Sequence, residues 1–433
     1  MEDERAEAAG WQLNDAELQG LRAAVARAEP RYLADLERLV NIDCGSYTKS
    51  GVDEVGRWVA DALSELGADV EIVANERLGD TVVGRFGGDA EGPSALLIGH
   101  MDTVFDPGTV AQRPFRVEGG RALGPGVTDM KSGLLAGIYA LRALREVAAA
   151  RDGGGPDAAW LPFRTLVFVA NPDEEIGSPA SSPVIRRYAA ESDLALVLEC
   201  ARANGDIVSS RKGVADLHIK IAGRAAHAGV EPEKGRSAVL EAAHKILALH
   251  ALNGRWSGVT VNAGVVEGGT RPNVVAERAL LKVDLRAVTR ETMEKAEAVI
   301  REIAAGSTVA DVTAEVEEHG RHWPMEKLER SSRLVEHARS LAARLGFDLD
   351  DAATGGASDA NTTAGMSVPT IDGLGPVGGN DHSPAEYLEL DSVVPRVTLL
   401  AALLVTVGRE DEVASWRRAA EAPGRSVVLP GGA

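Results

Sequence analysis

The chain has 433 residues, more than a single hydrophobic core usually organises, so two domains are expected. Hydrophobic residues make up 45% of it but aromatics only 4%, so Ala, Val and Leu must fill the cores. The formal net charge of −19 offers no basic surface for nucleic acid or an anionic membrane, and reads as a solubilising acidic exterior.

The acidic, alanine-rich stretch Met1 to Gly10 has neither the basic nor the apolar region of a signal peptide. Cys44 and Cys200 make no disulfide framework, and no run of about 18 apolar residues marks a membrane span. A cytoplasmic location is therefore expected. Residues 14–40 read as a helix capped at Asn14 or Asp15, with Pro30 marking a break or a second start, and 52–66 as a second amphipathic helix. Strands follow at 69–73, 81–86 and 94–99, the last running straight into His100-Met101-Asp102. A Gly- and Pro-rich loop over 105–126 precedes Asp129, 132–147 is helical, and 148–156 reads as a surface loop. The apolar run 166–170 then ends on Asp173-Glu174-Glu175, and the run 194–198 ends on Glu199. Short continuous apolar runs read as strands buried on both faces, as in a parallel α/β sheet, where ligands collect beyond the carboxyl ends. Three such strands delivering His, Asp and Glu to one edge point to a site.

The pattern changes near Lys212. Strand 214–222, helix 237–250, strands 259–266 and 279–288, helix 292–303 and strand 308–317 follow the β-α-β-β-α-β, ferredoxin-like order. After His322 the α/β pattern resumes, with a helix at 332–345, a Gly-rich loop at 354–357, a helical stretch near 359–364, a strand at 368–371 and a final helix at 393–407. The expected organisation is a catalytic domain formed by 1–211 and 321–421, an inserted domain at 212–320, and a loose tail at 422–433.

Zinc in catalytic sites favours imidazole and carboxylate ligands. Two such ions roughly 3.5–4 Å apart can share one carboxylate, so each then needs a His and a further acid. His100, Asp129, Glu175, Glu199 and His382 fill that set with nothing left over. Three carboxylates and one hydroxide also balance the charge of two zinc ions. A lone His at a strand end is more often structural than a ligand, and His218, His244, His250, His319, His322 and His337 lack comparable surroundings. Glu199 is a costly residue to bury unpaired after its apolar run.

The segments Gly99-His100-Met101-Asp102-Thr103-Val104, Gly124-Pro125-Gly126-Val127-Thr128-Asp129-Met130-Lys131 and Asp173-Glu174-Glu175-Ile176-Gly177-Ser178, with the isolated Glu199, resemble the co-catalytic dizinc peptidases and deacylases. That family includes glutamate carboxypeptidase (carboxypeptidase G), acetylornithine deacetylase, succinyl-diaminopimelate desuccinylase and aminoacylase, and the resemblance is closest to carboxypeptidase G. It implies a dizinc-exopeptidase-like mixed sheet flanked by helices, with the inserted ferredoxin-like α+β domain acting as lid and dimerisation domain. His100, Asp129 and Glu199 would hold one zinc, and Asp129, Glu175 and His382 the other, with cobalt or manganese as possible substitutes. Asp102 would accept a hydrogen bond from the second nitrogen of His100. Glu174 would be the general base, pointing away from Glu175 if that segment is extended. The resemblance further gives His227 as a residue reaching the partner's site to polarise the scissile carbonyl, and Asn273 as a substrate contact. Arg286 and the Gly356 loop would hold the substrate carboxylate, with Lys212 as a second cation or simply a solvated lysine.

Cys200 stands where a Pro is common, Thr128-Asp129-Met130 replaces a more acidic triplet, and carboxypeptidase G is exported whereas this chain shows no export signal. These departures bear on acyl-side specificity rather than on the metal chemistry. The expectation is a homodimeric dizinc hydrolase that cleaves the amide of a small N-acyl amino acid or short peptide and releases a C-terminal amino acid. The rival readings are a deacylase of the acetylornithine type and a non-catalytic binding protein of the same fold. The full ligand set argues against the latter.

Overall fold

The computed structural model describes residues 13–151 and 160–416. The Met1–Gly10 stretch, most of the loop expected at 148–156 and the tail expected from 422 lie outside the described residues. Two compact units divide the chain. One comprises residues up to 209, 327–353 and from 358 onward, and the other comprises 210–326 with 354–357. The Gly-rich segment 354–357 thus belongs with the second unit, whereas the sequence reading left it in the catalytic domain.

In the first unit the apolar runs form the strands Ser94–His100, Thr165–Asn171 and Leu194–Val197, which are buried along almost their whole length. They sit at the centre of a six-stranded mixed sheet ordered Asp69–Val73, Thr81–Gly87, Thr165–Asn171, Ser94–His100, Leu194–Val197, Thr370–Ile371. The last four strands are mutually parallel and the first two join antiparallel. Because the three central strands run the same way, their carboxyl ends share one edge, with His100 in register with Asn171. That edge gathers the candidate site residues His100, Glu174, Glu175 and Glu199.

Helix Asp15–Val40 starts on a capping box, in which Asn14 and Glu17 each accept the other's main-chain N–H. Contrary to the expected break, it runs unbroken through Pro30. An internal proline costs about 3 kcal/mol or more. Leu21, Val25, Tyr32 and Leu36 flank it and are buried in the core, and each large apolar side chain contributes about 1.5–3 kcal/mol. Packing outweighs the lost hydrogen bond. Helix Ser132–Arg151 also absorbs the start of the loop expected at 148. Its second residue, Gly133, lies so close to the chain that a Cβ there would come within 1.8 Å of the Leu198 carbonyl, just before Glu199.

Residues Leu390–Arg409 are long and apolar enough to cross a membrane by length and composition, although polar residues interrupt the apolar run. Most of this stretch (72%) is buried inside the protein, where helix Val393–Arg409 packs against helices Asp15–Val40, Ser132–Arg151 and Glu329–Leu345. A helix enclosed on all sides is apolar on all sides. Its one buried cation, Arg396, donates to the carbonyls of Gly375, Gly205 and Gly373.

The second unit is a four-stranded antiparallel sheet ordered Thr260–Gly268, Arg278–Ala287, Gly213–Ala222, Thr313–His322. Alternate residues such as Leu217, Ile219, Leu281 and Val283 are buried in one core with Ala242, Leu249, Met293 and Ile300 of helices Ala238–His250 and Arg290–Ala305. This is the ferredoxin-like arrangement. Its last strand begins at Thr313 rather than 308, because the N–H groups of Thr308 and Val309 bond the Glu241 carboxylate at 2.9 and 2.7 Å instead of a strand neighbour.

Candidate metal centre

His100 closes its strand with its side chain only 1% exposed. Its Nε2 lies 3.0 Å from Asp129 Oδ1 and 3.7 Å from Glu199 Oε1. On the other side, His382 Nε2 lies 3.0 Å from Asp129 Oδ2 and 3.1 Å from Glu175 Oε2. Asp129 therefore stands between two imidazoles with one oxygen turned toward each. In tetrahedral zinc sites, metal–ligand distances near 2.0–2.2 Å put neighbouring ligand atoms about 3.3 Å apart. The separations of 3.0–3.7 Å across both halves match that edge. The donors are also of the right type, imidazole nitrogen and carboxylate oxygen.

The electrostatics favour a cation as well. Burial alone would push the His100 imidazole down, but Glu199, Asp102 and Asp129 around it hold it well above its usual value. Hydrogen bonds to Asp129 and then Glu175 push His382 up to about 11. Asp129 is held well below the usual carboxylate range because its bonds to His100 and His382 overcome burial. Burial, followed by the charge of Glu199, pushes Glu174 well up. So many acidic groups in one buried place are stable only with positive charge among them.

Asp102 acts on both sides of its residue. His100 Nδ1 lies 3.0 Å from the Asp102 main-chain oxygen and 3.3 Å from its Oδ1. The expected side-chain contact is thus joined by a closer main-chain one. The carboxylate also accepts the N–H groups of Glu174 (3.1 Å) and Glu175 (3.2 Å) and the Ser46 hydroxyl (2.6 Å). The segment Glu174–Ile176 is a single tight helical turn, not the extended chain expected. The two glutamates diverge all the same, because successive residues on such a turn point about 120° apart. Ligand atoms of Glu174, His100 and Glu199 all lie within 4.8 Å of one another, and so do those of His100, Asp129 and Glu175.

His382 is the most exposed of the five, with 56% of its side chain accessible. It has φ +61°, and Asn380 has φ +59°, a left-handed backbone that costs non-glycine residues energy and that clusters at functional sites. The Ser383 hydroxyl donating to the Asn380 carbonyl helps hold this turn. Cys200, which follows Glu199, has its thiol 3.8 Å from Asp381 Oδ2, next to His382.

Several residues here were missed by sequence reasoning. Glu386 accepts three main-chain N–H groups from the Asp129 loop. Asp359, pushed up to about 6 by burial, bonds Asn171 and the Ser178 hydroxyl, and Asp173 accepts from Ala180 N and the Ser181 hydroxyl. These bonds brace the loop carrying Glu174 and Glu175. The available signals were the polar Asn171 closing an apolar strand, and an acid four residues after His382.

The remaining candidates belong to the second unit. Arg286 Nη1 donates to the Gly355 carbonyl at 2.8 Å and Arg211 Nη1 to that of Gly356 at 3.2 Å, so the expected arginine and the Gly-rich loop do meet. The main chain of Lys212 bonds the Thr354 carbonyl. His227 is exposed, its Nδ1 accepts from Gly229 N, and its main chain bridges Val274, while Ala228 N donates to the Asn273 carbonyl. His227 and Asn273 thus share one loop pair.

Comparison with known proteins agrees with this arrangement. The model of peptidase family M20/M25/M40 matches residues 96–406. Carboxypeptidase G2 of Pseudomonas sp. (strain RS-16) is 30% identical over 88% of this chain and 90% of its own. Acetylornithine deacetylase of Edwardsiella ictaluri is 25% identical over 79% and 88%. Among solved structures, aminopeptidase PepT from Bacillus cereus superposes with a TM-score of 0.71 at 25% identity, covering 88% of this chain and 98% of that one.

Proposed function

The chain belongs to peptidase family M20/M25/M40 and is a metallohydrolase of that family, and on that premise we propose that it cleaves the amide bond of an N-acyl amino acid or short peptide, releasing the C-terminal amino acid. The observation that carries this reading is Asp129, with its two oxygens each 3.0 Å from a different imidazole. Two zinc ions, held by His100, Asp129 and Glu199 and by Asp129, Glu175 and His382, would supply Lewis acidity and lower the pKa of water. Glu174 takes a proton from the attacking water and delivers it to the leaving nitrogen. Asp102 fixes the His100 ring and, through two main-chain bonds, the turn that carries Glu174. Arg286 and the Gly356 loop bind the free carboxylate of the substrate.

The acyl group and the amine are tested by a panel of N-acyl amino acids and dipeptides, scored by which amine appears. Release of C-terminal amino acids is expected. Turnover confined to acetylated basic amines such as N-acetylornithine would replace this reading with the deacylase one.

The enzyme is proposed to work as a cytoplasmic homodimer, with His227 stabilising the developing oxyanion in the partner's site. Strand Thr260–Gly268 is an edge strand with Val265 and Val266 exposed, and the adjoining helix exposes Leu240 and Leu247, at 72% for the latter. An apolar open edge of this kind suits pairing with a second copy. His227→Ala and Glu174→Gln homodimers should each be nearly inactive. Mixed under subunit exchange, they should recover activity toward about a quarter of the unsubstituted value, since half the pairs carry one intact site. A monomer in sedimentation, or no recovery after demonstrated exchange, removes His227 from the mechanism.

A further inference from the structure

We infer that Glu386 is a positioning residue that sets the bridging carboxylate and couples the two loops that bring Asp129 and His382 together. Strands Arg121–Leu123 and Tyr387–Glu389 pair antiparallel, with Leu123 opposite Tyr387. Beyond that pairing the two chains separate, one leading to Asp129 and the other back to His382. Glu386 stands at the point of separation. Its side chain continues the pairing that the main chain abandons: Oε2 accepts Gly126 N–H at 2.9 Å, and Oε1 accepts Thr128 N–H at 2.9 Å and Asp129 N–H at 3.1 Å.

The residue is 1% exposed, and these three bonds all go to the loop that carries Asp129. One bond is to the main chain of Asp129 itself, so the carboxylate sets the position from which the Asp129 side chain reaches both imidazoles. Four residues upstream on the same loop is His382, whose Nε2 meets the other oxygen of Asp129 at 3.0 Å. Glu386 thereby locks one ligand against another without touching a metal. An ionised carboxylate is suited to this because it only accepts, with room for all three donors. An amide in its place would turn an NH₂ toward either Gly126 or the Thr128 and Asp129 pair, leaving buried donors facing a donor.

This inference rests on the metal reading above, and the test separates the two. Protein freed of metal by chelator dialysis is titrated with Zn²⁺ against a competing chelator, and with Co²⁺ followed by its visible spectrum, alongside thermal melting. Groups that orient metal ligands typically contribute 10–100-fold to affinity, so Glu386→Gln should bind both equivalents 10–100-fold more weakly, with an altered cobalt spectrum. Glu386→Asp, which keeps the charge but falls one methylene short, should lie between and serves where the Gln variant does not fold. Glu410→Gln is the control, since Glu410 is a buried carboxylate of the same unit that bonds Arg333 and His337. It should lower the melting temperature and leave the cobalt spectrum and metal affinity unchanged. Unaltered affinity and spectrum in Glu386→Gln and Glu386→Asp overturn the positioning role, as does a loss that simply tracks melting temperature in all three variants. If the unsubstituted protein takes up no metal, the metal reading itself falls and this inference with it.

Discussion

Asp129→Ala is expected to strip both metal ions from the protein and to bring turnover to background. In the structure this one side chain faces His100 with Oδ1 and His382 with Oδ2, both at 3.0 Å. Among the described residues Glu199 stands 3.7 Å from His100 and Glu175 3.1 Å from His382, whereas Asp129 is 3.0 Å from both imidazoles. Removing it therefore takes a ligand from each half of the centre. It also removes a carboxylate whose bonds to both imidazoles hold it well below the usual carboxylate range. The expected loss in kcat/KM is at least about 10⁴-fold, beyond the 10²–10⁴ that a single general base contributes, because water activation and carbonyl polarisation fail together. Elemental analysis after dialysis should find neither equivalent bound. Asp129→Asn sharpens the test: an amide keeps one oxygen and turns a nitrogen toward one imidazole, so a single ion should remain. Two ions retained in Asp129→Ala would show that the carboxylate does not bridge.

Glu174→Gln should have the second largest effect, a loss of 10²–10⁴ in rate with both metal ions still bound. The substitution preserves size, and it preserves the main-chain N–H bond of residue 174 to Asp102 that orients the turn. The structure also permits a different role. The Glu174 carboxylate lies within ligand range of His100 and Glu199, so it could itself hold metal. The two roles separate cleanly on metal content, because a lost base leaves two equivalents and a lost ligand does not. The pH profile gives a second reading. A general base must be deprotonated, so kcat/KM rises with pH through its pKa, and that acidic limb should vanish in the variant. Near-normal turnover, or loss of metal along with activity, would take the base role from Glu174.

Much of the site could be read in the sequence because it is carried by local signals. His100 and Glu199 end or follow short continuous apolar runs that read as buried strands, and parallel strands place their carboxyl ends together whatever the loops do. Asp129 and Glu175 stand in segments that resemble the dizinc family, and His382 completes the set of imidazoles and acids that two ions would need. The ferredoxin-like order of the second unit was likewise legible in the succession of strand and helix signals from 214 to 317.

The features that escaped are those in which a side chain is defined by a distant partner. Pro30 looked like a break until the core around Tyr32 and Leu36 outweighed it. The final helix was read at 393–407 without a reason for its apolarity on every face, which lies in the helices packed around it. The strand expected at 308 starts at Thr313 because Glu241, on a helix far earlier in the chain, takes the N–H groups of Thr308 and Val309. Glu386 showed only as an acid in a polar loop, since nothing in the sequence says that its three donors come from residues 126–129.

By itself, then, the amino-acid sequence determined which residue types reach the edge of the sheet, because burial and periodicity are properties of short segments. Tertiary structure alone decided which oxygen of Asp129 faces which histidine and how the turn at Glu174 diverges. It also decided which buried carboxylates brace the loops. A hydrogen bond between groups 257 to 260 residues apart depends on the folded path between them, and no local pattern records that path.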